Sequence, residues 1–139
     1  MPEESFEDRY FDVLQNIEAA IVGVYRADPE LTDLEVMNAL DALIRRYRSE
    51  AGGREPRTPR LLGRIKDLYE VLEQACEWRL GRSKVKTVDG KEIGLPPEVE
   101  PLTPDEMVAV LKRIQRSVKR WTKEGGRQGY LNFVNEFIP

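Results

Sequence analysis

Apolar residues recur at three- and four-residue steps along most of the chain, the period of an α-helix buried on one face. The first run opens at Ser5, a residue type whose side chain accepts from an otherwise unpaired N–H at a helix start. Glu7 and Asp8 follow at the positive end of the helix dipole. Phe6, Tyr10, Val13, Ile17, Ala20, Ile21 and Val24 form its seam, and Phe11, Leu14, Val22 and Tyr25 widen it. So wide a face suits a helix that touches two or more neighbours. Pro29 marks the end, because the residue before a proline is biased away from helix. A second helix opens at Thr32, with Glu35 at capping-box spacing. Its seam is Val36, Leu40, Leu43 and Tyr47, flanked by Met37 and Ile44, and Gly52-Gly53 stops it.

Residues 52–60 read as a loop, and a third helix is predicted from Pro59 to Leu80 with Gly81 just beyond it. Leu61, Leu62, Ile65, Leu68, Tyr69, Leu72, Ala75 and Cys76 supply its seam. Residues 82–103 are the least regular part. Within them, Val85 to Ile93 predicts either a short hairpin on a type I′ Asp89-Gly90 turn or an irregular lobe. Thr103, Pro104 and Glu106 give the clearest helix start in the chain. Met107, Val110, Leu111, Ile114, Val118 and Trp121 line this fourth helix. Gly125-Gly126-Arg127-Gln128-Gly129 is expected to break it, leaving a short last helix over Tyr130 to Ile138. The expected architecture is one all-α domain, residues 1–139. It is a four-helix-type bundle with a short docked C-terminal helix and a lobe between the third and fourth helices.

Composition narrows the chemistry. The chain has no histidine and one cysteine. Ser-His-Asp and Cys-His catalysis, histidine zinc sites and an intrachain disulfide are therefore excluded. The longest apolar stretches, such as Ala19 to Val24, fall far short of the roughly 20 residues that span a bilayer. An acidic opening and a lone cysteine lead to the expectation of a cytoplasmic protein without a secretory signal.

A net charge of −3 conceals local imbalance. Residues 1–44 carry eleven acidic and two basic side chains. Residues 45–66 carry eight basic and two acidic ones, and residues 112–139 carry seven basic and two acidic. At about 100° per residue, Lys112, Arg113, Arg116, Lys119, Arg120 and Lys123 centre opposite the fourth helix's apolar seam. A solvated face explains such a stripe, and so does an anion-binding surface. Asp67, Glu70, Glu73 and Glu77 centre opposite the third helix's seam. Facing away from the core, with bases and no second acidic pair on the fourth helix, they are not expected to hold a metal. Cys76 lies beside the seam and reads as a structural thiol. Trp78 sits on the flank of the acidic face, placed to pack under the 82–103 lobe or to anchor a partner. Arg127 and the surrounding glycines could meet an anion, but they lack the lysine and hydroxyl of a nucleotide loop and read equally as a connector.

Cys76-Glu77-Trp78-Arg79-Leu80-Gly81 and Gly125-Gly126-Arg127-Gln128-Gly129-Tyr130-Leu131-Asn132-Phe133 resemble segments of a small bacterial helical family of cyanobacterial type that has no assigned activity. The resemblance implies a helical fold and carries no catalytic residue across. From the residues themselves, the expected function is a non-enzymatic protein-interaction or regulatory module without a cofactor. Trp78, Lys112, Arg113, Arg116, Lys119, Arg120, Lys123 and Arg127 are the candidate partner-binding residues. The alternative is nucleic-acid binding through the same stripe and the Arg-rich 45–64 region. A homodimer pairing on the outer residues of the first helix, or on Phe133 and Phe137, is a further expectation.

Overall fold

The structure, a computed structural model, describes residues 5–57 and 59–135. Among them it is helical apart from one small hairpin: α1 (Phe6–Arg9), α2 (Phe11–Ala27), α3 (Asp33–Ala51), α4 (Gly63–Arg79), β1 (Val85–Lys86), β2 (Glu92–Ile93) and α5 (Pro104–Asn135). The all-α expectation therefore holds, and several of its boundaries move.

Local capping chemistry works as the residues dictate. Ser5 accepts from the Asp8 N–H (3.1 Å). Thr32 and Glu35 close a reciprocal capping box, and Thr103 and Glu106 make the same contacts at the start of α5. The first apolar run kinks at Tyr10, which divides α1 from α2. There the Tyr10 ring packs against Phe6 (centroids 4.7 Å apart), and its hydroxyl donates to Glu106 (2.9 Å).

The third helix starts at Gly63, later than the predicted Pro59. Extended backbone at Leu62 takes that side chain out of helical phase and leaves it 84% exposed, so it leaves the predicted seam. The helix ends as expected. Gly81, at φ +76°, supports a Schellman pair of hydrogen bonds from Gly81 and Arg82 to the Trp78 and Glu77 carbonyls. A β-carbon at Gly81 would also lie 3.2 Å from the Pro101 ring. The hairpin forms, but not on a type I′ turn. Gly90 takes a positive φ and Asp89 does not, and the Thr87 N–H bonds to the Lys91 carbonyl (2.8 Å). These bonds suit a three-residue loop with glycine in the left-handed position.

The largest correction lies at residues 125–129. The glycine run does not break the fourth helix, and α5 continues to Asn135 with no separate last helix among the described residues. Each glycine costs about 1 kcal/mol in a helix interior, whereas starting a new helix incurs a fresh nucleation penalty. The side chains of Trp121, Arg127, Phe133 and Phe137 lie outside the described residues.

Ion pairs fix the helix directions. Arg64 at the start of α4 pairs with Asp28 beyond the end of α2, and Arg79 at the end of α4 pairs with Asp12 at the start of α2. These two helices are antiparallel. Arg46 meets Glu73 and Glu77 while Glu50 meets Arg82, so α3 and α4 run parallel. The Tyr10–Glu106 bond joins the starts of α2 and α5, which run the same way. Both α2 and α3 pack on α4 and α5, which places α2 and α3 on one diagonal. The core between them includes Ile17, Ile21, Tyr25, Leu40, Leu43, Tyr47, Leu68, Leu72, Leu111 and Ile114, all fully buried. Because α3 and α4 are parallel, residues 52–62 cannot form a tight turn. Residues 54–57 and 59–62, outside any helix or strand, belong to a strap that runs back along the helices. Eleven residues reach at most about 36 Å, enough to cover a 17-residue helix about 26 Å long. No helix among the described residues is long and apolar enough to cross a membrane.

Candidate functional site

The α5 seam and its outer face divide as the helical period requires. Met107, Val110, Leu111, Ile114 and Val118 are fully buried, while Lys112, Arg116, Lys119, Arg120 and Lys123 are exposed. Four of these cations, Arg116, Lys119, Arg120 and Lys123, wall a shallow depression of about 320 Å³. Arg113 departs from the stripe. Its guanidinium donates to Glu7 (2.9 Å) and Ser117 (2.7 Å), binding α1 to α5. That hydrogen bond holds the Glu7 carboxyl below the ordinary carboxylate range.

Trp78 is half-buried, and its indole N–H donates to the Ile93 carbonyl (3.2 Å). The ring thus holds the hairpin against the end of α4. Arg79 secures the same corner. It is buried, and it donates to Asp12 (2.9 Å) and to the Glu100 carbonyl (2.6 Å).

The acidic face of α4 is not uniformly solvated. Asp67 and Glu70 are exposed, but Glu73 and Glu77 are half-buried and turn toward α3 to meet Arg46. Arg46 also approaches Glu50 (3.6 Å) and lies over the Tyr47 ring (5.3 Å to its centre). Arg82 completes the cluster by pairing with Glu50 (2.7 Å). Cys76 is fully buried, and burial pushes its thiol well above the ordinary value. Such a thiol stays protonated and unreactive.

Two concave surfaces flank the strap. One, about 370 Å³, lies toward α4 and mixes Arg46, Arg57 and Lys66 with Glu70 and Glu73. The other, about 850 Å³, lies over the outer face of α3. Arg45, Arg54, Arg57 and Arg60 converge there, and none of their guanidinium groups has a hydrogen-bond or ion-pair partner among the described residues. Asp41 on its floor accepts from Gln115 of α5 (2.6 Å). Since α3 is antiparallel to α5, Arg45, one turn beyond Asp41, comes level with the turn that carries Lys112. The Arg-rich region and the α5 stripe therefore border one another.

The charge count of residues 45–66 pointed to this region, but it did not separate Arg46 and Arg64, which are paired, from the open arginines. The three-residue spacing of Arg54, Arg57 and Arg60, interleaved with Pro56 and Pro59, was the available signal. A half-buried carboxylate also escaped the sequence reading. Glu18 on α2 has no hydrogen-bond or ion-pair partner among the described residues, and burial pushes its carboxyl up to about 7, against the opposing charge of Arg113. The self-pairing surface expected on the first helix is mostly covered within the chain. Leu14, Val22 and Tyr25 are buried, and Phe11 alone of that set is exposed, at 55%. Compared with family models, curated proteins and solved structures, the chain matches none of them.

Proposed function

We propose that the protein is a non-enzymatic, cytoplasmic interaction module that docks an acidic protein partner on the outer face of α5. The observation that carries this reading is the exposed row Lys112, Arg116, Lys119, Arg120 and Lys123 behind a fully buried apolar seam. Held on one rigid helix, these cations present a fixed pattern to a partner, and charge complementarity of that kind sets specificity and association rate. The overall negative charge of the chain disfavours indiscriminate binding to nucleic acid. The lack of histidine and the protonated, buried Cys76 support a non-enzymatic role. Trp78, committed to the hairpin, and Arg113, committed to Glu7, contribute less to this surface than the sequence reading gave them.

The second reading, nucleic-acid binding, is favoured by the Gln115–Asp41 bond, which joins the stripe to the arginines over α3. Crosslinking in the native host, with and without nuclease, separates the two. The expected result is a protein adduct that survives nuclease and disappears in the triple variant Arg116→Glu/Lys119→Glu/Lys123→Glu. Adducts abolished by nuclease would assign the stripe to nucleic acid, and adducts indifferent to the charge reversal would remove the stripe from both readings.

A further inference from the structure

Nine of the arginines divide into two groups. Arg46, Arg64, Arg79, Arg82 and Arg113 each reach a carboxylate. Arg45, Arg54, Arg57 and Arg60 reach none among the described residues, yet they line one groove. Three of them sit three residues apart on the strap. The groove lining brings all three together with Arg45. Pro56 and Pro59, at the same period, are half-buried against the helices. The prolines are thus partly covered while the arginines line the groove, beside Arg45 of α3.

We infer that the groove between α3 and the strap is a binding site for a compact anion bearing several phosphate groups, of the size of a triphosphate chain. A volume of about 850 Å³ lies in the range of small-ligand sites. Guanidinium forks match phosphate oxygens two at a time, and the prolines reduce the ordering that binding would otherwise require. Asn38 and Ser49 add neutral hydrogen-bonding groups to the lining. Two carboxylates oppose the anion. Asp41 is occupied by Gln115, and Glu55 stands alone against the four open arginines. Among the described residues no aromatic ring lines the groove, so a nucleobase finds no stacking partner there. The chemistry favours the phosphate chain itself over a nucleotide or a single-stranded nucleic acid. This site borders the α5 docking face but shares no cation with it, and it stands without it.

The test is calorimetric titration of the full chain with inorganic triphosphate at about 50 mM and about 150 mM salt, beside sulfate and a single-stranded oligonucleotide. One-to-one binding of triphosphate is expected, weakening with salt and well ahead of sulfate. The variant Arg54→Gln/Arg57→Gln/Arg60→Gln should lose at least about tenfold in affinity, while Lys119→Gln/Lys123→Gln should stay within about twofold. Amide chemical shifts of the unmutated protein give a reading that does not depend on any variant, with triphosphate expected to move Arg45 and residues 53–57. Absence of binding at the lower salt, equal affinity for sulfate, equal loss in the α5 variant, or shifts confined to α5 would overturn the site. Tighter binding of the oligonucleotide through the same arginines would replace the small anion with nucleic acid. Triphosphate binding by an unmutated protein that gives no nuclease-resistant adduct dependent on α5 would defeat the proposed function and leave this inference standing.

Discussion

Arg46 and Arg57 line the same two concave surfaces, yet their surroundings differ in kind. Arg46 stands on a helix whose parallel neighbour presents Glu73 and Glu77 one turn apart, so its guanidinium is met from two directions. Arg57 stands on a strap with half-buried prolines, and among the described residues no carboxylate meets it. The first arginine bolts α3 to α4. The second lines the groove over α3. Residue type alone does not distinguish them; the direction of the adjoining backbone does.

The sharpest way to break this comparison is Arg46→Ala. Removing one partner of a part-buried cluster leaves Glu50, Glu73 and Glu77 mutually repelling, and a loss of about 2–4 kcal/mol is expected in denaturant titration. A loss under about 0.5 kcal/mol would mean that the cluster is solvated like an ordinary surface pair. Glu18 extends the contrast to an acid that lacks the partner Arg46 enjoys. Its folded-state value of about 7 lies above the ordinary 4.5, so the folded chain holds an extra proton between those two values. Stability therefore falls as pH rises through that window, and the full cost is present above it. Glu18→Gln should stabilise the protein by about 1–2 kcal/mol at pH 8, allowing for partial exposure, and change little at pH 4. Thermal melts at both values check the sign, and an equal gain at both would refute titration as the cause. The smallest effect belongs to Arg57→Gln. With no partner among the described residues to lose, it should leave stability within about 0.5 kcal/mol of the parent in the same titration. A larger drop would show that the strap arginine is structural after all.

What the sequence disclosed follows how local each signal is. Thr32 with Glu35, and Thr103 with Glu106, announce helix starts because both partners lie within one turn. The α5 stripe was legible for the same reason. The Arg46 cluster was not, because it depends on α3 and α4 running parallel, which no short-range pattern encodes. Leu61 and Leu62 prolonged the apparent period of the third helix, although the chain there is still extended. The glycines at 125, 126 and 129 suggested a break because propensity is read residue by residue, whereas a helix of 32 residues is sustained cooperatively. Length was the overlooked clue to the strap: with two prolines, residues 52–62 exceed what an antiparallel helix pair needs.

The strap also bears on how the chain could be divided. It links residues up to Ala51 to those from Gly63 onward, and beyond the hydrogen bonds of residues 52–54 that close the end of α3 it belongs to no helix. Each half supplies one diagonal of the bundle, α2 with α3 and α4 with α5, so neither half buries its apolar seams alone. A cut between Arg54 and Arg60 would therefore yield two fragments that re-form the bundle only by meeting each other, with folding becoming second order in their concentrations. In that form the protein would behave as a complementation pair, its core shared between two chains and the arginine edge of the strap parted at the cut.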